Sequence, residues 1–128
     1  MLLEALIGIL IFSIGILALL GMQATAMRAT IDAKYRSEEA FLANEIIGTM
    51  WVDRVNLGLY DTSLAACTGH AECAAWVARV QTKLPNATGA NAPTILIVGQ
   101  QATVTVLWQR PGETTVSNHV AVAQINNS

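Results

Sequence analysis

The sequence predicts an α+β fold in which a long N-terminal helix, apolar in its first half and amphipathic in its second, packs on a small C-terminal antiparallel sheet. Three observations carry this prediction. No proline falls within residues 1–55, and the apolar residues there follow helical spacing. Three β-rich segments, TILIV (94–98), ATVTVLWQ (102–109) and TTVSNHVAVAQI (114–125), close the chain. The links between them, GQQ and RPGE, are short and of turn type, so the strands should pair as antiparallel neighbours.

The first element is the stretch MLLEALIGILIFSIGILALLGMQATAM, residues 1–27. From Ala5 to Met27 no residue is charged. Those 23 residues make a helix of about 34 Å, enough for a hydrocarbon core of about 30 Å. Gly8, Gly15 and Gly21 are spaced through it, and Gly8 and Gly15 lie seven apart near one face. Small residues let membrane helices approach closely, so these two either form a packing seam or are ordinary membrane-helix glycines. Glu4 is the one acid at the head of this stretch. A lone carboxylate near lipid costs on the order of 3 kcal/mol at the bilayer centre and less near an edge. Such a group calls for a partner or for the headgroup level.

Residues 28–55 continue as an amphipathic helix. Phe41, Leu42, Ile46, Ile47, Met50, Trp51 and Val55 form the apolar face; Arg36, Glu38, Glu39, Glu45 and Asp53 fall on the polar side. Asp32 and Arg36 are an i,i+4 pair in the favourable order. Asn56, Gly58 and Asp61 end the helix, and NLGLYDTSLAACTGHAEC reads as a loop. A short helix follows over 71–84, with Cys73, Trp76, Val77, Val80 and Leu84 on one face and Pro85 as its stop. PNATGANAP is a turn-rich connector to the strands. In the last strand, Val116, Val120 and Val122 are placed on the inward face and His119 at an exposed phase. The amphipathic half of the long helix is the cover that a three-stranded meander needs. The domains are thus 1–27, an apolar helix, and 28–128, a globular domain made of helix 28–55, loop and short helix 56–85, and strands 94–125.

At 128 residues, 53% hydrophobic, with net charge −2 and no basic run, the chain offers no electrostatic footprint for nucleic acid. Cys67 and Cys73 are the only cysteines. Beyond a membrane span they suggest an oxidising compartment and one disulfide; the alternative is two buried thiols in a reducing one. Their spacing is not CxxC, and no second pair exists for zinc. His70 and Glu72 between and beside them sketch a metal site, but a disulfide would remove both thiolates, so no metal and no cofactor are predicted. No nucleophile motif or glycine-rich phosphate loop marks a catalytic residue, so the chain is not read as an enzyme. Trp51, Trp76 and Trp108 are read as core, with an interface role as the alternative. The apolar stretch lacks a basic n-region, and Arg28, Lys34 and Arg36 follow it, which by the positive-inside tendency makes that side cytoplasmic. This conflicts with the cysteines. A basic leader removed before Met1 would resolve the conflict.

MLLEALIGILIFSIGILALLGMQ resembles the N-terminus of mature type IV pilins and type II secretion pseudopilins, which follow a cleaved basic leader. FSIGILALLGMQ, AFLANEIIGTMWVDRVN, CAAWVARVQTKLPNATG and TVTVLWQ are similar to blocks of the PilV-like minor pilins, and together they touch most of the chain. The family carries its glutamate fifth, whereas Glu4 is fourth, so either one residue precedes Met1 in the mature protein or processing differs. The resemblance implies a type IV pilin-like fold and a minor pilin that primes assembly or joins the pilus tip. It implies that Glu4 pairs with the N-terminal amine of a neighbouring subunit as a register device, and that Met1 lies at or next to the processed, methylated end. Implied partners are other minor pilins, the major pilin and a large tip adhesin, with a prepilin peptidase acting on the precursor. The implied location is the bacterial inner membrane with a periplasmic domain, then the pilus. A type II secretion pseudopilin shares the helix and the glutamate. An anchored periplasmic enzyme or receptor is the reading from another class.

Overall fold

The computed structural model describes residues 1–63 and 66–126, with Ala66 described by its backbone alone. Leu64 and Ala65, within the predicted loop, lie outside the described residues. The chain divides into two units, residues 1–35 and 36–128. One helix, α1 (Leu2–Val52), contributes to both.

In the first unit α1 is bare. Every residue from Met1 to Ile31 is exposed, including Leu3, Phe12, Leu17 and Met22. The stretch is long and apolar enough to cross a membrane. A helix satisfies its own backbone polar groups, as lipid requires. The hydroxyls follow the same rule: Ser13 Oγ donates to the Ile9 carbonyl at 2.8 Å and Thr25 Oγ1 to the Gly21 carbonyl at 3.1 Å.

In the second unit, the rest of α1 buries Glu39, Leu42, Ala43, Ile46 and Met50. These positions recur every three or four residues and define the face turned to the domain. The helix stops at Val52 rather than near Val55, because Asp53 and Asn56 close a turn. The Asn56 amide N–H donates to the Asp53 carbonyl at 3.0 Å, and a 3-10 segment runs over Arg54–Tyr60. The buried face is also rotated from the predicted one. Phe41, Trp51 and Val55 are exposed, and Glu39 is 5% exposed. Of the three tryptophans, Trp76 and Trp108 are core, and Trp51 is not.

A one-turn α2 (Ala66–Gly69) leads into α3 (Ala71–Lys83), which buries Cys73, Trp76 and Val80. Lys83 reaches Glu38 at 3.1 Å while His70, at the other end, reaches Asp53 at 3.2 Å. So α3 runs antiparallel to the lower part of α1. Between these ends, the Trp76 indole donates to the Leu42 carbonyl at 2.8 Å and Arg79 meets Glu45 at 2.6 Å.

The sheet holds β1 (Thr94–Val98), β2 (Gln101–Gln109) and β3 (Val116–Gln124) in that order, all antiparallel. Gly99, at φ 61°, takes the left-handed position of the two-residue β1–β2 turn. Between β2 and β3, Pro111 and Gly112 (φ 82°) make a turn closed by the Glu113 amide on the Arg110 carbonyl at 3.1 Å. β2 is the central strand, and Ala102, Val104, Val106 and Trp108 all face the core. The long helix packs on this sheet, as the sequence predicts.

The phase of β3 is opposite to the prediction. Val120 pairs with Thr105 and Val122 with Thr103, both on the outer face of β2, while Ser117 pairs with the buried Trp108 and His119 with the buried Val106. Residues paired across a ladder share a face. Val116, Val120 and Val122 therefore point outward and are exposed, and His119 is half-buried on the inner side.

Candidate functional site

Glu4 sits in the first turn of α1, where unpaired backbone N–H groups favour a carboxylate. It is exposed and, among the described residues, has no ion-pair partner. Met1 is fully exposed, and its carbonyl accepts the first helical bond from the Ala5 amide at 3.2 Å. A methyl group added at Gly8 or Gly15 would meet nothing within 4 Å. Each glycine weakens an aqueous helix by roughly 1 kcal/mol, and neither gains a close contact within the chain in return. Of the predicted site residues, the structure brings together only Cys67 and Cys73, in a disulfide with an S–S distance of 2.08 Å.

Beside that disulfide stands a polar cluster. Asp53 Oδ1 accepts from the Asn56 side-chain amide at 2.7 Å; Asp53 Oδ2 accepts from the Tyr60 hydroxyl at 3.0 Å and lies 3.2 Å from His70 Nε2. The bond from Asn56, joined by those from Tyr60 and His70, outweighs desolvation and holds the Asp53 carboxyl below the usual carboxylate range. Burial, reinforced by the Asp53 charge, pushes the Tyr60 phenol well up. The Tyr60 and His70 rings lie 4.7 Å apart. The cluster ties the end of α1 to the bridged segment that leads into α3. Asp61 follows the same logic. Burial works to raise its carboxyl, but bonds from the Ser63 hydroxyl and from the Ile97 and Ser63 amides outweigh it and hold the group below its ordinary value.

A second polar feature is wholly internal. Glu39 accepts from the Trp108 indole at 2.5 Å across the helix–sheet interface. Burial pushes the Glu39 carboxyl above its ordinary range, and the indole bond with the nearby His119 and Arg36 charges partly reverses this. Neither Glu39 nor the Asp53 cluster was singled out from the sequence. Glu39 was legible: it stands three residues before Leu42 and seven before Ile46, on the stripe that the apolar residues themselves define.

An open depression of about 630 Å³ is lined by Glu45, Gly48, Thr49, Val52, Asp53 and Glu72. Its polar groups are largely occupied. Glu45 pairs with Arg79, Asp53 with its three partners, and the Thr49 hydroxyl donates to the Glu45 carbonyl at 3.0 Å. Among the described residues, no three His, Cys, Asp or Glu side chains gather to hold a metal ion.

Compared with protein-family profiles, curated proteins and solved structures, the chain matches none. The functional reading therefore rests on the chain's own residues. They offer a bare apolar helix with one acid at its head, continued into a helix–sheet domain stapled by a disulfide.

Proposed function

We propose that this protein is a minor subunit of a type IV pilus, which primes assembly or forms part of the tip complex. One observation carries the reading. A single unbroken helix has one half entirely exposed and apolar, with Glu4 as its acid, and another half that forms the spine of a small sheet domain. A simple anchor has no use for an acid at that place or for a helix continued into the fold.

The physics of assembly follows from these parts. The subunit waits in the inner membrane with its disulfide-bearing domain in the periplasm. Moving the apolar half from lipid into a bundle of like helices keeps that surface dry throughout. A carboxylate and an ammonium in low dielectric each cost several kcal/mol alone and much less together. Glu4 facing the N-terminal amine of a staggered neighbour then favours one axial register. Gly8 and Gly15 give that neighbour close approach. The partners are other minor pilins, the major pilin and a large tip adhesin, and a prepilin peptidase releases the N-terminus from its precursor.

The helix and the acid would serve a type II secretion pseudopilin equally well, and a deletion strain separates the two: loss of surface pili supports the pilus, loss of protein secretion the pseudopilus. Releasing residues 28–128 from the apolar half tests both against a periplasmic enzyme or receptor. A filament subunit loses function when cut free, whereas retained function would overturn the proposal.

A further inference from the structure

The two edges of the sheet are treated differently. An unpaired edge is a template for another strand, and proteins commonly block it with charge, proline, a bulge or a covering loop. The β1 edge is blocked. The Ile97 amide donates to Asp61 Oδ2 at 3.1 Å and the Ile95 amide to Thr62 Oγ1 at 2.9 Å, while the Thr62 amide donates to the Ile95 carbonyl at 2.9 Å. A side chain and a loop thus occupy the positions a neighbouring strand would take.

The β3 edge carries none of these devices. All nine of its residues pair with β2 in continuous register, without a bulge. From Thr114 to Gln124 there is no proline, glycine, lysine, arginine, aspartate or glutamate. Among the described residues, no group bonds to the side of β3 that faces away from β2. On its outer face Val116, Val120 and Val122 are 41%, 53% and 57% exposed. On its inner face Ser117, His119, Ala121 and Ala123 are half-buried. Three of these four are small, so an added strand could set apolar side chains beside them, at the rim of the helix layer.

We infer that the free edge of β3 is a strand-addition site, which takes an extended, uncharged segment of a different protein as the fourth strand of the sheet. Backbone hydrogen bonds would supply the affinity and alternate side chains the selectivity. Charge complementarity defines the segment. With no aspartate, glutamate, lysine or arginine along β3, and with its one histidine, His119, turned to the inner face near Glu39, a charged side chain on the outer row of the incoming strand would find no opposite partner beside it.

A second copy of this chain does not fit. Two copies joined antiparallel through β3 are related by a two-fold axis perpendicular to the sheet. That axis reverses every direction along the sheet, including that of the Arg36–Val52 stretch of α1 packed on it. The Arg36 ends of the two domains would then lie at opposite ends of the joined sheet, whereas copies held in one membrane must both turn that end toward it. Exclusion of the second copy rests on the membrane placement proposed above. The strand addition itself does not rest on the filament reading.

The test places the photoreactive amino acid benzoylphenylalanine singly at Asn118, Val120, Val122 or, as a control, Leu96 in the full-length protein in host cells. The first three are exposed outer-face positions of β3, and Leu96 is on the blocked strand β1. Crosslinked residues are mapped by mass spectrometry. The result expected is a ladder: each two-residue step along β3 moves the crosslink two residues along one uncharged segment of a single partner, and Leu96 gives none. Crosslinks without such a register, with lipid alone, with a second copy of this chain, or equally from Leu96 would overturn the inference. Because the readout is register on β3, it stands whether or not filaments are affected.

Discussion

Glu39 shows how one residue can be a structural asset and a charge liability together. Its carboxylate meets the Trp108 indole inside the domain, but burial raises its pKa. A raised pKa means that the contribution to stability is fully present below the unfolded value and lost as pH rises through the folded one. Glu39→Gln keeps an oxygen for the indole and removes the charge. It is expected to raise the melting temperature at pH 7, with the gain shrinking as pH falls into the carboxylate range. Glu39→Ala leaves the buried indole N–H without its acceptor and should cost about 1–3 kcal/mol in denaturant unfolding. Asp53 has the opposite sign. Its lowered pKa contributes stability above the unfolded value, lost as pH falls through the folded one. Asp53→Asn should therefore lower the melting temperature at neutral pH and converge with the native protein in acid. At this scale the sequence misleads in a consistent way. Charge pattern put Glu39 on the polar side, and the apolar phase of the strand put the three valines inward. In both cases neighbours decided, since Trp108 supplies a donor for the acid and the β2 register turns the valines outward.

The elements themselves were more legible. The unbroken α1, the α3 stop before Leu84–Pro85 and the order and pairing of the strands follow from proline placement, apolar period and turn chemistry. Element ends were less so, because they depend on distant partners. The α1 terminus at Val52 is set where Asp53 gathers Asn56, Tyr60 and His70, and a side chain seventeen residues away in sequence leaves no local trace. The α2–α3 segment is held by the disulfide and by Trp76. Bridging positions six apart removes loop entropy worth about 2 kcal/mol in a chain-entropy account. Replacing both Cys67 and Cys73 by Ser should cost about that much, read as a lower denaturant midpoint without loss of α1. Trp76→Ala removes a fully buried ring and its bond to α1, with an expected cost of about 3–5 kcal/mol.

For the whole molecule, the contrast is between a domain with a packed core and a helical stretch in which no residue from Met1 to Ile31 is buried. The candidate assembly residues Glu4, Gly8 and Gly15 were all visible in the sequence, because an uncharged run interrupted by glycines and headed by one acid is a one-dimensional signal. What they act on was not visible, since in the proposed assembly their partners belong to a neighbouring subunit. The measurement that tests the account most directly is quantitative mass spectrometry of surface filaments sheared from cells carrying the native protein or Glu4→Ala. The account predicts a trace amount of the protein in native filaments and its loss from those of the variant. Absence from native filaments, despite abundance in the inner membrane, would contradict the filament reading. Equal amounts in both would contradict the role given to Glu4.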